Sequence, residues 1–136
     1  MSDDYRIVEL SAQESWEILD RERFGRLAVA IGGDPDIFPI NFLVDDGKLL
    51  MRTAPGTKLT ELVINAAVAV EADGRDGDTA WSVVVKGLAR MVESFSETYA
   101  DDAKNLETWL PSDKPIYVEI VARSISGRRF LRGSAV

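Results

Sequence analysis

The chain contains no cysteine and no histidine. Without cysteine there is no disulfide framework and no thiol nucleophile. Without histidine, a Ser-His-Asp triad and His-ligated zinc are excluded. Any redox or transfer chemistry must therefore rest mainly on a bound cofactor. Basic residues are scarce too: 16 Lys+Arg stand against 23 Asp+Glu, a formal net charge of −7. That balance argues against nucleic acid, whose binders need a basic face, and against an anionic membrane surface. No apolar run is long enough to span a bilayer. The opening Met1-Ser2-Asp3-Asp4-Tyr5 lacks the basic and apolar regions of a signal peptide. The expected location is the cytoplasm.

What is present fits one domain over residues 1–136: 46% of the residues are hydrophobic, enough for a core. Ser11-Ala12-Gln13-Glu14 is a capping box, so a helix should follow to about Glu22, with Trp16 and Leu19 inward. Phe24 to Ile31 reads as a strand, Gly32 to Asp36 as a turn, and Ile37 to Val44 as a second strand. Asp45-Asp46-Gly47 is a hairpin turn before a third strand, Lys48 to Thr53. Pro39 places the second strand at an edge, at a bulge, or against a ligand.

Thr57 to Asn65 should form a short helix with Leu59, Leu62 and Val63 buried. Strands follow at Ala66 to Ala72 and at Trp81 to Val92, around a polar loop from Gly74 to Asp78. In the longer strand the odd positions from Trp81 to Met91 make an apolar-to-small face. Ser96 to Trp109 reads as an acidic amphipathic helix closed by Pro111. Ile116 to Ser124 is a sixth strand, which Gly127 to Leu131 extends in the same sheet. Six or seven strands in hairpin order, with short flanking helices, predict a mainly β protein, a small antiparallel barrel. Its ligand site belongs in an outer groove or between subunits, because so small a barrel has little internal room.

The densest chemistry is Arg52-Thr53-Ala54-Pro55-Gly56-Thr57-Lys58-Leu59. Two cations and two hydroxyls gather around a turn at a helix start, where backbone amides lack partners and a phosphate can bind. Gly56 lets the backbone approach closely. Arg offers a forked donor set and Lys a point charge. The alternative is a solvated turn in which Thr57 merely caps a helix. Strand alternation sets Arg52 and Thr53 on opposite faces, so the strand must twist for both to serve. Trp81, next to Ser82, either covers a planar ligand or belongs to the core. Asn41, in Pro39-Ile40-Asn41, meets a ring edge or satisfies nearby backbone. Arg123, Arg128 and Arg129 read as charges protecting a final strand.

Taken in order, four segments resemble the pyridoxamine 5'-phosphate oxidase-like flavin-binding proteins, in the actinobacterial branch similar to nitroimidazole reductases. They are Gly25-Arg26-Leu27-Ala28-Val29, Pro39-Ile40-Asn41-Phe42, Arg52 to Leu59, and Trp81 to Gly87. The resemblance runs from the first helix to Arg129. It implies a split β-barrel homodimer with flavin mononucleotide (FMN) in grooves between the chains. By analogy, Arg52, Thr53, Thr57 and Lys58 hold the flavin phosphate. Pro39, Ile40 and Asn41 line the isoalloxazine, and Trp81 and Ser82 lie beside it, reaching the partner's cofactor. The implied activity is a flavin-dependent oxidoreductase acting on a small molecule. The chain departs from the pyridoxamine phosphate oxidase and nitroimidazole reductase patterns in lacking histidine. Related branches use a deazaflavin or bind haem, so a deazaflavin-dependent reductase and a non-catalytic carrier or sensor are the alternative readings.

Overall fold

The structure is a computed structural model, and it describes residues 5–54, 56–57, 66–92, 106 and 116–132. Among the described residues one helix, α1 (Ala12–Glu22), and eight strands follow in order: β1 (Tyr5–Leu10), β2 (Phe24–Ile31), β3 (Asp34–Asn41), β4 (Leu43–Asp45), β5 (Lys48–Thr53), β6 (Ala67–Asp76), β7 (Thr79–Met91) and β8 (Ile116–Arg132). They form a single sheet in the order β3-β2-β6-β7-β8-β5-β4, and β1 pairs with β8. Every pairing is antiparallel. The fold is a mainly β split barrel, as the strand pattern predicts. Among the described residues no helix is long and apolar enough to cross a membrane.

α1 begins where its capping box requires. Ser11 Oγ accepts from the Glu14 amide at 3.1 Å, and Glu14 accepts from the Ser11 amide at 3.0 Å. Two orphan donors of the first turn are thereby satisfied. The helix ends at Arg23, in the left-handed region with φ 57°, whose amide donates to the Leu19 carbonyl. Ile18 and Leu19 are buried, and half-buried Trp16 packs against the core. Buried Ser15 donates to the Ser11 carbonyl and faces Gly127 of β8, where a Cβ would strike the Ser15 hydroxyl. Gly127 thus sets how closely α1 lies on the sheet.

Two hairpins have the turn chemistry their residues demand. Gly32 and Gly33 have φ of 59° and 81°, and Asp46 and Gly47 have φ of 42° and 76°. Positive φ at both central residues is the type I′ signature, whose twist matches that of the strands. The first turn is tighter than expected: only Gly32-Gly33 turn, and β3 already begins at Asp34. The Gly74–Asp78 loop is shorter than expected as well. β6 continues to Asp76, leaving a two-residue turn in which Gly77 has φ 60°.

Three further elements differ from the sequence expectation. The single strand expected over 37–44 is divided into β3 and β4 at Phe42. Phe42 is fully buried, and its amide leaves the ladder to donate to the Arg23 carbonyl at 3.0 Å. β1, which carries no strong apolar alternation, completes the edge of β8 from Tyr5↔Arg132 to Leu10↔Gly127. β8 itself is one 17-residue strand. Its first half pairs with β5 and its second half with β1, while β7 runs along the other side. Pro39 lies in β3, which among the described strands is an edge bonded to β2 alone; the missing proline donor faces no described neighbour there. The helices expected at Thr57–Asn65 and Ser96–Trp109 lie outside the described residues, apart from Thr57 and Leu106.

The core follows from alternation. Leu27 and Val29 of β2, Val68 and Val70 of β6, Val83 and Val85 of β7, and Val118 and Ile120 of β8 all point inward and are buried. Burying each such side chain contributes roughly 1.5–3 kcal/mol. β5 is covered on both faces. Leu49 and Met51 join this core, while Leu50 packs with Leu43 and Leu106 in a second cluster beside Tyr117.

A β-bulge breaks the β7–β8 ladder. Lys86 pairs with Ser124 and Gly87 with Ala122, so Arg123 has no opposite residue. The bulge reverses inward parity along β8: Val118 and Ile120 face in before it, Ile125 and Gly127 after it. Glycine is required at position 87, because a Cβ there would collide with the Val121 carbonyl.

Candidate functional site

The turn after β5 gathers part of the predicted phosphate site. Thr53 closes β5 opposite Ile116 and is fully buried. Thr57 comes back to it, with the two hydroxyl oxygens 3.4 Å apart. Thr57 Oγ1 also donates to the Ala54 carbonyl at 3.0 Å. Between them Gly56 has φ 72°, a conformation that costs other residues strain, and the space a Cβ would enter is open. The turn is thus a hydroxyl pair beside an accessible stretch of backbone. The Thr57–Ala54 bond runs back toward β5, and an incoming anion would have to redirect that proton.

Arg52 leaves β5 on the opposite face from Thr53. It stands opposite Tyr117, on the face of β5 that carries Leu50, while Thr53 shares the face of Met51. The Arg52 side chain is half-buried, and its Nε is shielded from solvent. Lys58 lies outside the described residues.

The other candidates divide in the same way. Pro39 and Asn41 face outward, opposite Arg26 and Phe24 of β2. Ile40 points between them into the core and is 3% exposed. Ser82 faces outward between Asp73 and Arg128. Trp81 faces inward, half-buried against the core, with its indole over Gly74 on the neighbouring strand. Pro39, Asn41 and Ser82 therefore share the outer surface of the sheet. Ile40, Thr53 and Trp81 belong to its inner side.

One charged cluster on that outer surface escapes sequence reasoning. Arg26 Nη1 lies 3.3 Å from Glu71 Oε1 and 3.1 Å from Asp73 Oδ2. Burial pushes the Glu71 carboxyl above its ordinary range, and the neighbouring Asp73 pushes it further. Arg26 opposes this but is shared between two carboxylates and is half exposed, so desolvation prevails. Glu71 and Asp73, two residues apart on one strand, are legible as a pair. Their partner Arg26, 45 and 47 residues away, becomes visible only through the β2–β6 register.

Comparison with known proteins gives this architecture a family. The pyridoxamine 5'-phosphate oxidase family model matches residues 11–129. An uncharacterised protein of Mycobacterium tuberculosis is 34% identical, covering 94% of this chain and 88% of that protein. Among solved structures, the FAD-binding protein of Mycobacterium smegmatis is 35% identical with a TM-score of 0.74, over 91% of this chain and 98% of that one. An FAD-binding protein of Mesorhizobium loti is 27% identical with a TM-score of 0.80, over 93% and 98%. These solved structures share the barrel with it, and the chain belongs to the pyridoxamine 5'-phosphate oxidase family.

Proposed function

We propose that the chain binds a flavin nucleotide and serves as a flavin-dependent oxidoreductase for a small molecule, as a cytoplasmic homodimer with the cofactor between subunits. The observation that carries the reading is the β5 turn: two hydroxyls 3.4 Å apart beside an open, left-handed glycine. That donor set fits a phosphate, since hydroxyls and backbone amides both donate to its oxygens. Lys58, next in sequence, would add the charge. The bound flavin would supply hydride or electron transfer. The chain's own residues would bind and orient: Thr53 and Thr57 at the phosphate, Pro39, Asn41 and Ser82 along the outer sheet surface. With no histidine, no residue is assigned to move a proton.

FMN is the expected cofactor. A second reading, FAD, is favoured by two similar structures that are FAD-binding proteins. Mass spectrometry of ligand released from native protein separates the two. Lys58→Ala should weaken FMN binding by roughly 1.5–3 kcal/mol, the range for a charged hydrogen bond. That is about ten- to a hundredfold in Kd. Riboflavin, which has no phosphate, should be almost indifferent. Equal losses for both ligands in a calorimetric titration would remove the phosphate assignment. Turnover with a reduced nicotinamide then distinguishes an enzyme from a non-catalytic carrier.

A further inference from the structure

A groove crosses the outer face of the sheet where β2, β6 and β7 run side by side, next to the β8 bulge. Its volume is about 420 Å³, within the range of roughly 300–1,000 Å³ for small-molecule sites. Its floor and walls are Ala28, Ala30, Pro35, Ala67, Ala69 and Gly87. The register makes the depression: Ala28 directly opposes Ala69, so two methyl groups meet where larger side chains would fill the surface. The floor offers no side-chain hydrogen-bond partner.

Two cations close one side. Lys86 follows Ala69 in the cross-strand row. Arg123 is the residue that the bulge expels from the ladder, and both line the groove. Neither is engaged by an acidic side chain among the described residues, and no carboxylate lines the groove. Elsewhere on this acidic chain Arg26, Lys48 and Arg90 are all paired with carboxylates.

We propose that this groove binds a small molecule with an apolar body and a single carboxylate. The body covers the alanine floor and loses its contact with water. The carboxylate lies between Lys86 and Arg123, where charge-assisted hydrogen bonds form with both. None of the groove residues is among those assigned to the flavin, but Pro39 lies on the same outer face one cross-strand row away, so the test includes FMN as a competitor.

The test uses flavin-free protein and the fluorescent probe 1-anilinonaphthalene-8-sulfonate, an aromatic body with one acid group. Decanoate should displace the probe at a concentration about tenfold below that needed for decanol. The double variant Lys86→Gln/Arg123→Gln should abolish that preference. Ala69→Leu should fill the floor and raise the decanoate requirement by about tenfold. Circular dichroism checks its fold; if that variant misfolds, the double variant decides alone. Failure of the probe to bind, equal displacement by decanol, or an unchanged preference in the double variant would each overturn the proposal. Displacement by FMN as effective as by decanoate would also overturn it, by placing the cofactor itself in the groove. Loss of flavin binding with decanoate binding intact would sink only the cofactor reading.

Discussion

Glu71 shows how one side chain's surroundings turn into a pH dependence. Its carboxyl is raised chiefly by burial, then by Asp73, with Arg26 opposing. The folded chain therefore holds this proton more tightly than the unfolded chain does. Stability from the group is fully present below the ordinary carboxylate range, near pH 4. It is lost as pH rises through the folded value. Glu71→Gln removes the titration, so its thermal midpoint should fall less than that of the wild type from about pH 4 to about pH 7. Identical slopes would show that the carboxyl is not shifted. Trp81 carries a second residue-scale prediction. Its indole covers Gly74 and packs on the core, yet it remains half-exposed, so truncation to alanine should cost less than the roughly 3–5 kcal/mol of a fully buried aromatic. If it also borders the flavin, cofactor binding should quench its fluorescence, and Trp81→Phe should abolish most of that quench. A quench that survives would point instead to Trp16 or Trp109.

At the scale of elements, β7 and β8 organise the molecule, and their bulge is the most consequential irregularity. It reverses which side chains of β8 face the core, so Val118 and Ile125 both point inward although they differ in parity. It rests on close contact between Gly87 and the Val121 carbonyl. Backbone cannot yield as a flexible side chain can, so Gly87→Ala should destabilise by about 1–3 kcal/mol, as for overpacking. Urea unfolding measures this directly, and an unchanged midpoint would mean that the bulge is less tightly closed than described. The β5 turn is organised more locally. Thr57 bonds back to Ala54 within three residues, so the turn should form without a bound anion.

For the whole molecule, the proposed shared cofactor links binding to assembly. A ligand that binds only the dimer stabilises it by mass action, by about 2.7 kcal/mol per site at a concentration a hundred times Kd. Dilution should release flavin, and added flavin should shift monomer toward dimer. Analytical ultracentrifugation, read at protein and flavin wavelengths across a dilution series, tests the linkage. Flavin travelling with a stable monomer at full occupancy would defeat the shared-site arrangement.

The sequence by itself determined the features that short-range sterics and hydrogen bonds dictate. The Ser11–Glu14 capping box, the Gly32-Gly33 and Asp46-Gly47 turns, the alternation of β2 and β7, and the Thr-Gly-Thr turn after β5 each depend on residues a few positions apart. Tertiary structure alone decided whatever depends on partners tens of residues away. The Phe42 amide leaves its strand because the Arg23 carbonyl is within reach. Arg123 is expelled because β7 and β8 differ by one residue in register. Arg26 meets Glu71 because β2 lies beside β6. Arg52 and Thr53 take opposite faces because β5 keeps its pairing to the last residue, with Tyr117 and Ile116 as their separate neighbours. No local pattern encodes such pairings, because a strand's alternation says which faces its side chains take but not which strand will lie alongside.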